Sequence, residues 1–179
     1  SSIYGFTELM IQRDLPPHRQ KKYLAAVHSE TERLSLLIND FLDLQRMEAN
    51  RQEYTFEPFD LLAMMKDLKQ LHSLSSSSHD IRIFSEEKVQ IVNGDSKKIR
   101  QLFGNLVNNA IKYSPDGGPI EIRITEHNNR VTVALTDYGI GIPASAMSEL
   151  FQKFYRVDNS DTRQIGGTGL GLSICREIA

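Results

Sequence analysis

Between His18 and about Asn50, Leu24, Val27, Thr31, Leu34, Ile38, Phe41 and Gln45 recur at alternating steps of three and four. That spacing is a coiled-coil seam and predicts one long helix. Leu37, Leu42 and Leu44 widen its apolar side beyond a two-stranded zipper. So wide a face suits a four-helix bundle, which a helical hairpin reaches by pairing with a second copy. The other arm of the hairpin is predicted from Ile3 to about Arg13. It is closed by Leu15-Pro16-Pro17, where proline interrupts helical pairing.

The rest of the chain reads differently. Glu53 to Phe56 alternates like a short strand, Pro58 marks a junction, and Asp60 can cap a helix over Leu61 to about Leu74. Ser75 to Ser78 is a loop. Ile81 to Phe84 and Val89 to Val92 alternate as strands, and Gly94-Asp95 turns the chain into a helix with Asp95 as its cap. Pro115-Asp116-Gly117-Gly118 is a turn signal. Beyond it, Ile120 to Ile124 and Val131 to Leu135 form an antiparallel hairpin closed by Asn128-Asn129. The expected picture is a helical hairpin followed by a mixed sheet with helices on one face.

The helix after Asp95 carries the chemistry. At about 100° per residue, Ile99, Leu102, Phe103, Leu106, Ala110 and Ile111 gather on an apolar side. Lys98, Gln101, Asn105, Asn108, Asn109 and Lys112 gather on the other. Asparagine is a weak helix former, because its amide competes for backbone hydrogen bonds, so these asparagines ask for a reason. Asn105 and Asn109 project from neighbouring turns of one face. A neutral amide oxygen can ligate a magnesium that already carries phosphate oxygens. Lys112 then places an ammonium where a phosphate would sit, and Tyr113 is close enough to cover a sugar or base.

Composition narrows the classes. Hydrophobic content of 40% and charged content of 25% are ordinary for a chain of 179 residues that buries a core. A net charge of −2 gives no case for nucleic acid or an anionic membrane as a general partner. The single Cys175 rules out an internal disulfide and fits a reducing compartment such as the cytoplasm. No apolar run approaches the roughly 20 residues of a membrane span, so membrane contact is expected only through segments outside this chain.

Further stretches point to a ligand. In Asp137-Tyr138-Gly139-Ile140-Gly141-Ile142-Pro143, two glycines let backbone approach a flat ligand. The carboxylate at the strand end can accept a hydrogen bond from an exocyclic amine, which adenine has and guanine lacks at the equivalent place. Phe151 and Phe154, at helical spacing, are expected to anchor in the core. Asp158 to Gln164 contains no apolar residue and reads as a lid, with Arg156 and Arg163 available for a terminal phosphate. Gly166 to Gly171 opens the last helix, where backbone amides can form an anion site.

Taken in order, NLVNNAIKYS, DYGIGIP, LFQKFYRVD and GGTGLGLSI resemble the N, first glycine, F and second glycine boxes of bacterial two-component sensor histidine kinases. The resemblance covers nearly the whole chain, since Ser1 to Arg51 is similar to the dimerisation hairpin preceding the family's ATP-binding domain. It implies an α+β chain. Residues 1–52 would be a helical hairpin, half of a dimeric four-helix bundle. Residues 53–179 would be an ATP-binding catalytic domain, an α/β two-layer sandwich with a mixed sheet of the Bergerat type.

The resemblance implies magnesium and ATP as cofactors. Asn109 would hold the magnesium, with Asn105 beside it near the phosphates. Lys112 and Arg156 would contact phosphate oxygens, and Tyr113 and Tyr155 would flank the nucleotide. Asp137 would bond the adenine amino group, with Gly139, Gly141 and Ile142 at the base. Gly167, Thr168, Gly169 and Leu170 would close over the phosphates, with Gly171 ending the run, and Leu172 would pack beneath the adenine. The implied partners are a second copy of the chain and a response-regulator receiver domain. The implied reaction moves the γ-phosphoryl to a histidine and then to a regulator aspartate.

Asn105 separates this chain from the gyrase, heat-shock chaperone and MutL ATPases, which resemble one another in having glutamate there. A carboxylate can activate water, and an amide cannot accept that proton. A neutral imidazole already offers a lone pair, so asparagine favours a histidine acceptor over hydrolysis. A dimer-gating ATPase and a purely docking module are the alternatives. The family's acceptor histidine lies in a motif like SHELRTPL. Ser1 to Leu9 resembles the stretch just after that motif, so the acceptor is expected upstream of Ser1. His28 has the wrong neighbours for that role, and no self-labelling by this chain is expected. His18, His72, His79 and His127 are expected to be solvated. The family's final helix and strands are expected to continue past Ala179.

Overall fold

In a computed structural model the chain forms two compact units, Ser1–Ala49 and Asn50–Ala179. The structure describes residues 2–49, 51–75, 78–157 and 166–179. The first unit is a hairpin of α1 (Ser2–Gln12) and α2 (Pro17–Glu48). Pro17 stands in the first turn of α2, where its missing N–H leaves no helical bond unmade. Phe6 stacks on Tyr23 across the hairpin, with ring centroids 5.1 Å apart. Along α2, the seam residues Leu24, Leu34 and Ile38 are exposed at 57%, 48% and 48%, an apolar stripe within one copy of the chain. Among the described residues no helix is long and apolar enough to cross a membrane.

The second unit runs β1 (Glu57–Asp60), α3 (Leu61–Ser75), β2 (His79–Ser85), β3 (Ile91–Gly94), α4 (Ser96–Lys112), β4 (Gly118–His127), β5 (Arg130–Asp137) and α5 (Gly171–Ile178). A short 3₁₀ turn lies at Ala144–Ala146. β2, β4 and β5 form a mixed sheet in that order, β2 parallel and β5 antiparallel to the central β4. β4 shows the period-2 logic most clearly. Ile120, Ile122 and Ile124 are buried, while Arg123 on the opposite face sits over the Phe84 ring at 5.0 Å. The buried isoleucines meet Leu61, Leu62, Met65 and Leu68 of α3 and Phe103, Val107 and Ala110 of α4 in one core. At roughly 1.5–3 kcal/mol per buried large aliphatic side chain, this layer fixes α4 on the sheet. Val107 is the centre of the helix's buried face, one turn after Phe103. The face named from the sequence omitted it.

β1 and β3 form a separate antiparallel ribbon, Glu57 opposite Gly94 and Asp60 opposite Ile91. Two expected strands are therefore displaced. Glu53 to Phe56 is irregular, and its Thr55 amide donates to the Asp95 carboxylate at 3.1 Å instead of to a ladder. Pro58 lies inside β1 and is tolerated there because the ribbon has only two strands. The third strand begins at Ile91 instead of Val89. Just before it, the Gln90 amide donates to Asp60 Oδ1 at 3.2 Å and the Gln90 carbonyl accepts from Leu61 N at 2.7 Å. Asp60 also accepts the Ala63 amide at 3.2 Å and so caps α3. Asp95 caps α4, accepting the Lys97 and Lys98 amides at 3.0 Å each. The β4–β5 turn is closed by Asn128 and Asn129, both left-handed at φ 51° and 61°, as a two-residue type I′ turn requires.

Candidate functional site

α4 ends at the site. Tyr113 is its C-terminal cap, its amide donating to the Asn109 carbonyl at 2.9 Å. The Tyr113 carbonyl in turn accepts the Ile140 amide at 2.9 Å, which ties the loop after β5 to the end of the helix. The tie needs glycine at 139. A Cβ there would collide with the Tyr113 carbonyl oxygen and come within 2.6 Å of Ser114 Oγ. Ser114 Oγ is itself buried, with no hydrogen-bond partner among the described residues. Asp137, the last residue of β5, accepts the Gly139 amide on Oδ1 at 3.0 Å. Oδ1 thus fixes the carboxylate's orientation. Oδ2 takes no hydrogen bond from the described residues and can accept one from a ligand amine.

Between the end of α4, this loop, the 150–157 segment and the start of α5 lies a cavity of about 170 Å³. A cavity of about 150 Å³ suffices for a benzene ring, so a flat heterocycle with part of itself at the open mouth is the right scale. Asn109, Tyr113, Asp137, Gly141, Ile142, Tyr155, Arg156 and Leu172 line it, together with Leu106, Ile140, Leu150 and Val157. Those last four were not singled out from the sequence. Leu106 was placed on the core face, and it lies one turn before Asn109–Ala110 where the two faces meet. Ile140 stands between two glycines already flagged, which was the available signal. Leu150 and Val157 carried none. Tyr155 is held by Glu149: burial raises its phenol's pKa, and the Glu149 charge and hydrogen bond raise it further.

The remaining expected residues surround the cavity without lining it. Lys112 Nζ bonds the Tyr113 hydroxyl at 3.2 Å and lies against the Gly167 backbone, so that a Cβ at Gly167 would strike it. The glycine run is anchored through Gly169, at φ 74°, where a Cβ would come within 2.8 Å of the Phe154 backbone. The Phe154 amide donates to the Gly169 carbonyl at 3.0 Å. Thr168 Oγ1 accepts the Leu170 amide at 3.3 Å. Leu170 is fully buried, so only its backbone can face a ligand. Asn105 Nδ2 donates to the Gly171 carbonyl at 3.4 Å.

Other expectations fail here. Phe151 and Phe154 are 43% and 54% exposed, in a segment of turns and not a helix. Phe154 adopts φ 61°, a conformation that costs a non-glycine residue about 1–2 kcal/mol, and its bond to Gly169 supplies the reason it is held. His79 is half-buried, its ring bonding the Ser114 carbonyl at 2.9 Å, and partial burial lowers the pKa of His72. Neither is simply solvated. The segment read as a lid, Asp158 to Gln164 with Arg163, lies outside the described residues.

A bare metal ion would find little here. Among the described residues no three His, Cys, Asp or Glu side chains gather where they could hold one. An amide, an ammonium and a carboxylate with one free oxygen suit instead a purine bearing phosphates and its own cation.

Residues 94–179 match the family described as histidine kinase-, DNA gyrase B- and HSP90-like ATPases, and residues 1–50 match the His Kinase A (phospho-acceptor) domain. The circadian input-output histidine kinase CikA of Synechococcus elongatus is 35% identical over 98% of this chain. The chain belongs to the sensor histidine kinase family. The sensor protein kinase WalK of Staphylococcus aureus is 34% identical over 88% of the chain. The chain spans 24% of the length of CikA and 38% of that WalK sequence. Among solved structures, histidine kinase ThkA in complex with the response regulator TrrA superposes with a TM-score of 0.76 at 26% identity, over 99% of this chain and 49% of ThkA. Acinetobacter baumannii AdeS shares the fold, with a TM-score of 0.76 at 22% identity over 98% of this chain and 80% of that one.

Proposed function

We propose that this chain is the dimerising, nucleotide-binding core of a sensor histidine kinase, binding magnesium ATP for transfer of its γ-phosphoryl group to a histidine. The response-regulator aspartate would receive the group next, as a regulator-bound relative suggests. The observation that carries the reading is Asp137. Its one tied and one free oxygen stand on a cavity that also exposes Asn109.

In this reading Asp137 Oδ2 accepts the adenine amino group, Ile142 and Leu172 sandwich the base, and Tyr113 and Tyr155 flank the nucleotide. The Asn109 oxygen would hold magnesium, which neutralises phosphate charge. Lys112 and Arg156 would take phosphate oxygens from either side. Among the described residues that line the cavity the one carboxylate, Asp137, is given to the adenine, and Asn105 would stand where a base is needed for hydrolysis. Catalysis would therefore rest on positioning and charge neutralisation. The exposed stripe of Leu24, Leu34 and Ile38 supports a second copy of α2 as partner.

The test is to incubate the chain with magnesium and γ-labelled ATP, adding a family dimerisation hairpin that carries the acceptor histidine. Label on that hairpin, lost in acid and kept in alkali, is expected, and Asn109→Ala should abolish it. Steady phosphate release without an acceptor, at the same rate, would show an ATPase instead.

A further inference from the structure

Two segments distant in sequence meet beside the end of α4. The Ser78 carbonyl accepts the Gly118 amide at 3.0 Å, and a Cβ at Gly117, at φ 76°, would strike that same carbonyl. His79 follows at the start of β2, opposite Gly118 of β4. Its half-buried ring places Nε2 2.9 Å from the Ser114 carbonyl oxygen and Nδ1 3.2 Å from Ser78 Oγ. A carbonyl can only accept, so Nε2 carries a proton and donates it. With both ring nitrogens engaged, the imidazole is held in one orientation.

Ser114 is what these bonds hold. Its amide donates to the Ile111 carbonyl at 3.3 Å, and its carbonyl accepts the Gly117 amide at 2.9 Å as well as the histidine. The residue is buried, and its hydroxyl has no partner among the described residues. An unpaired buried hydroxyl costs about 1–3 kcal/mol, so its own hydrogen bonding does not keep the side chain there. What it faces is Gly139, so closely that a Cβ at Gly139 would come within 2.6 Å of Oγ. Gly139 donates its amide to Asp137 Oδ1 at 3.0 Å, and Ile140 donates the next amide to the Tyr113 carbonyl at 2.9 Å. The turn that orients Asp137 therefore rests on Tyr113 and Ser114, and a histidine from another strand pins Ser114.

We propose that His79, which does not line the cavity, is a positioning residue for the Asp137 carboxylate: by holding the Ser114 carbonyl it seats the Gly139–Ile140 backbone, and that backbone aims Asp137 at the base. This rests on the adenine reading above. It makes selectivity for the base depend on a side chain that no ligand touches.

The experiment compares wild type with His79→Ala, His79→Gln, Asp137→Ala and the His79→Ala/Asp137→Ala pair, each checked for cooperative unfolding. Affinities for ATP and for inosine triphosphate, which has a carbonyl in place of the exocyclic amine, are measured by equilibrium titration with magnesium. His79→Ala should lower the preference for ATP about three- to tenfold, the range of one hydrogen bond, and leave the affinity for inosine triphosphate unchanged. His79→Gln, whose side-chain N–H can reach the same carbonyl, should restore the preference. In the Asp137→Ala background the histidine change should have no further effect.

Equal losses for both nucleotides, an unchanged preference, a glutamine variant no better than alanine, or a histidine effect that persists without Asp137 would overturn the proposal. Backbone amide exchange without nucleotide is the second arm. The Gly139 and Ile140 amides should exchange faster in His79→Ala than in wild type and in His79→Gln, while Ile99, in the first turn of α4, keeps its rate. Equal exchange at Gly139 and Ile140 in all three, or the same acceleration at Ile99, overturns the positioning role. If wild type binds neither nucleotide, or both alike, the adenine reading falls, and the exchange measurement still decides whether His79 seats the turn.

Discussion

Replacing Gly139 by alanine adds one methyl at the point where the loop after β5 rests on the end of α4. The atom it would meet first is the Tyr113 carbonyl oxygen, followed by Ser114 Oγ and the Tyr113 carbonyl carbon, and the two Tyr113 atoms are backbone and cannot rotate away. The loop itself must lift. Lifting breaks the 2.9 Å bond from the Ile140 amide to that carbonyl and shifts Ile140 and Gly141, which line the cavity. Overpacking costs about 1–3 kcal/mol and a lost hydrogen bond about 0.5–1.5, together about 2–4 kcal/mol. Nucleotide affinity should therefore fall by about 30- to 1,000-fold, read by displacement of a fluorescent ATP analogue. Gly104→Ala, in α4 with open space around its Cβ, is the control and should stabilise the helix by up to about 1 kcal/mol. Should Gly139→Ala bind within threefold of wild type and unfold at the same urea concentration, the loop is not seated as described.

Asp95→Ala removes the α4 cap and the anchor of Thr55, and should cost about 1–2 kcal/mol in urea unfolding at neutral pH. Burial raises the Asp95 pKa, but the amides of Thr55, Lys98 and Lys97 together hold it below the ordinary 3.8. The stability gap to the alanine variant should be full above about pH 4 and close as pH falls through the lower folded value. A gap that widens on acidification would contradict this. Ile38→Asp, placed in the exposed stripe of α2, should raise the dimer dissociation constant about 30-fold or more in sedimentation equilibrium. It should leave analogue binding unchanged.

Local sequence carried the parts whose cause is local. Asn128-Asn129 closes its hairpin, Asp60 and Asp95 cap their helices, and the period of β4 announces its buried isoleucines. Where a distant group decides, the pattern misled. Phe151 and Phe154 have helical spacing, but the chain there is set by the Gly169 carbonyl taking the Phe154 amide. Tyr54 and Phe56 alternate like a strand, yet the Thr55 amide belongs to Asp95, forty residues on. The parallel pairing of β2 with β4 has no signature in either strand. Of the site, the polar positions were legible because asparagine in a helix and paired glycines in a turn are costly without a use. The apolar wall of Leu106, Leu150 and Val157 was not, since those residues look like any core.

Inosine triphosphate differs from ATP at the one place Asp137 would read, with a carbonyl replacing the exocyclic amine. A hydrogen bond to a charged group contributes about 1.5–3 kcal/mol, or about 10- to 150-fold in affinity. Wild type should prefer ATP to inosine triphosphate within or above that range in equilibrium titration, and Asp137→Ala should bind the two alike. Equal binding of both nucleotides by wild type would contradict the placement of adenine on Asp137.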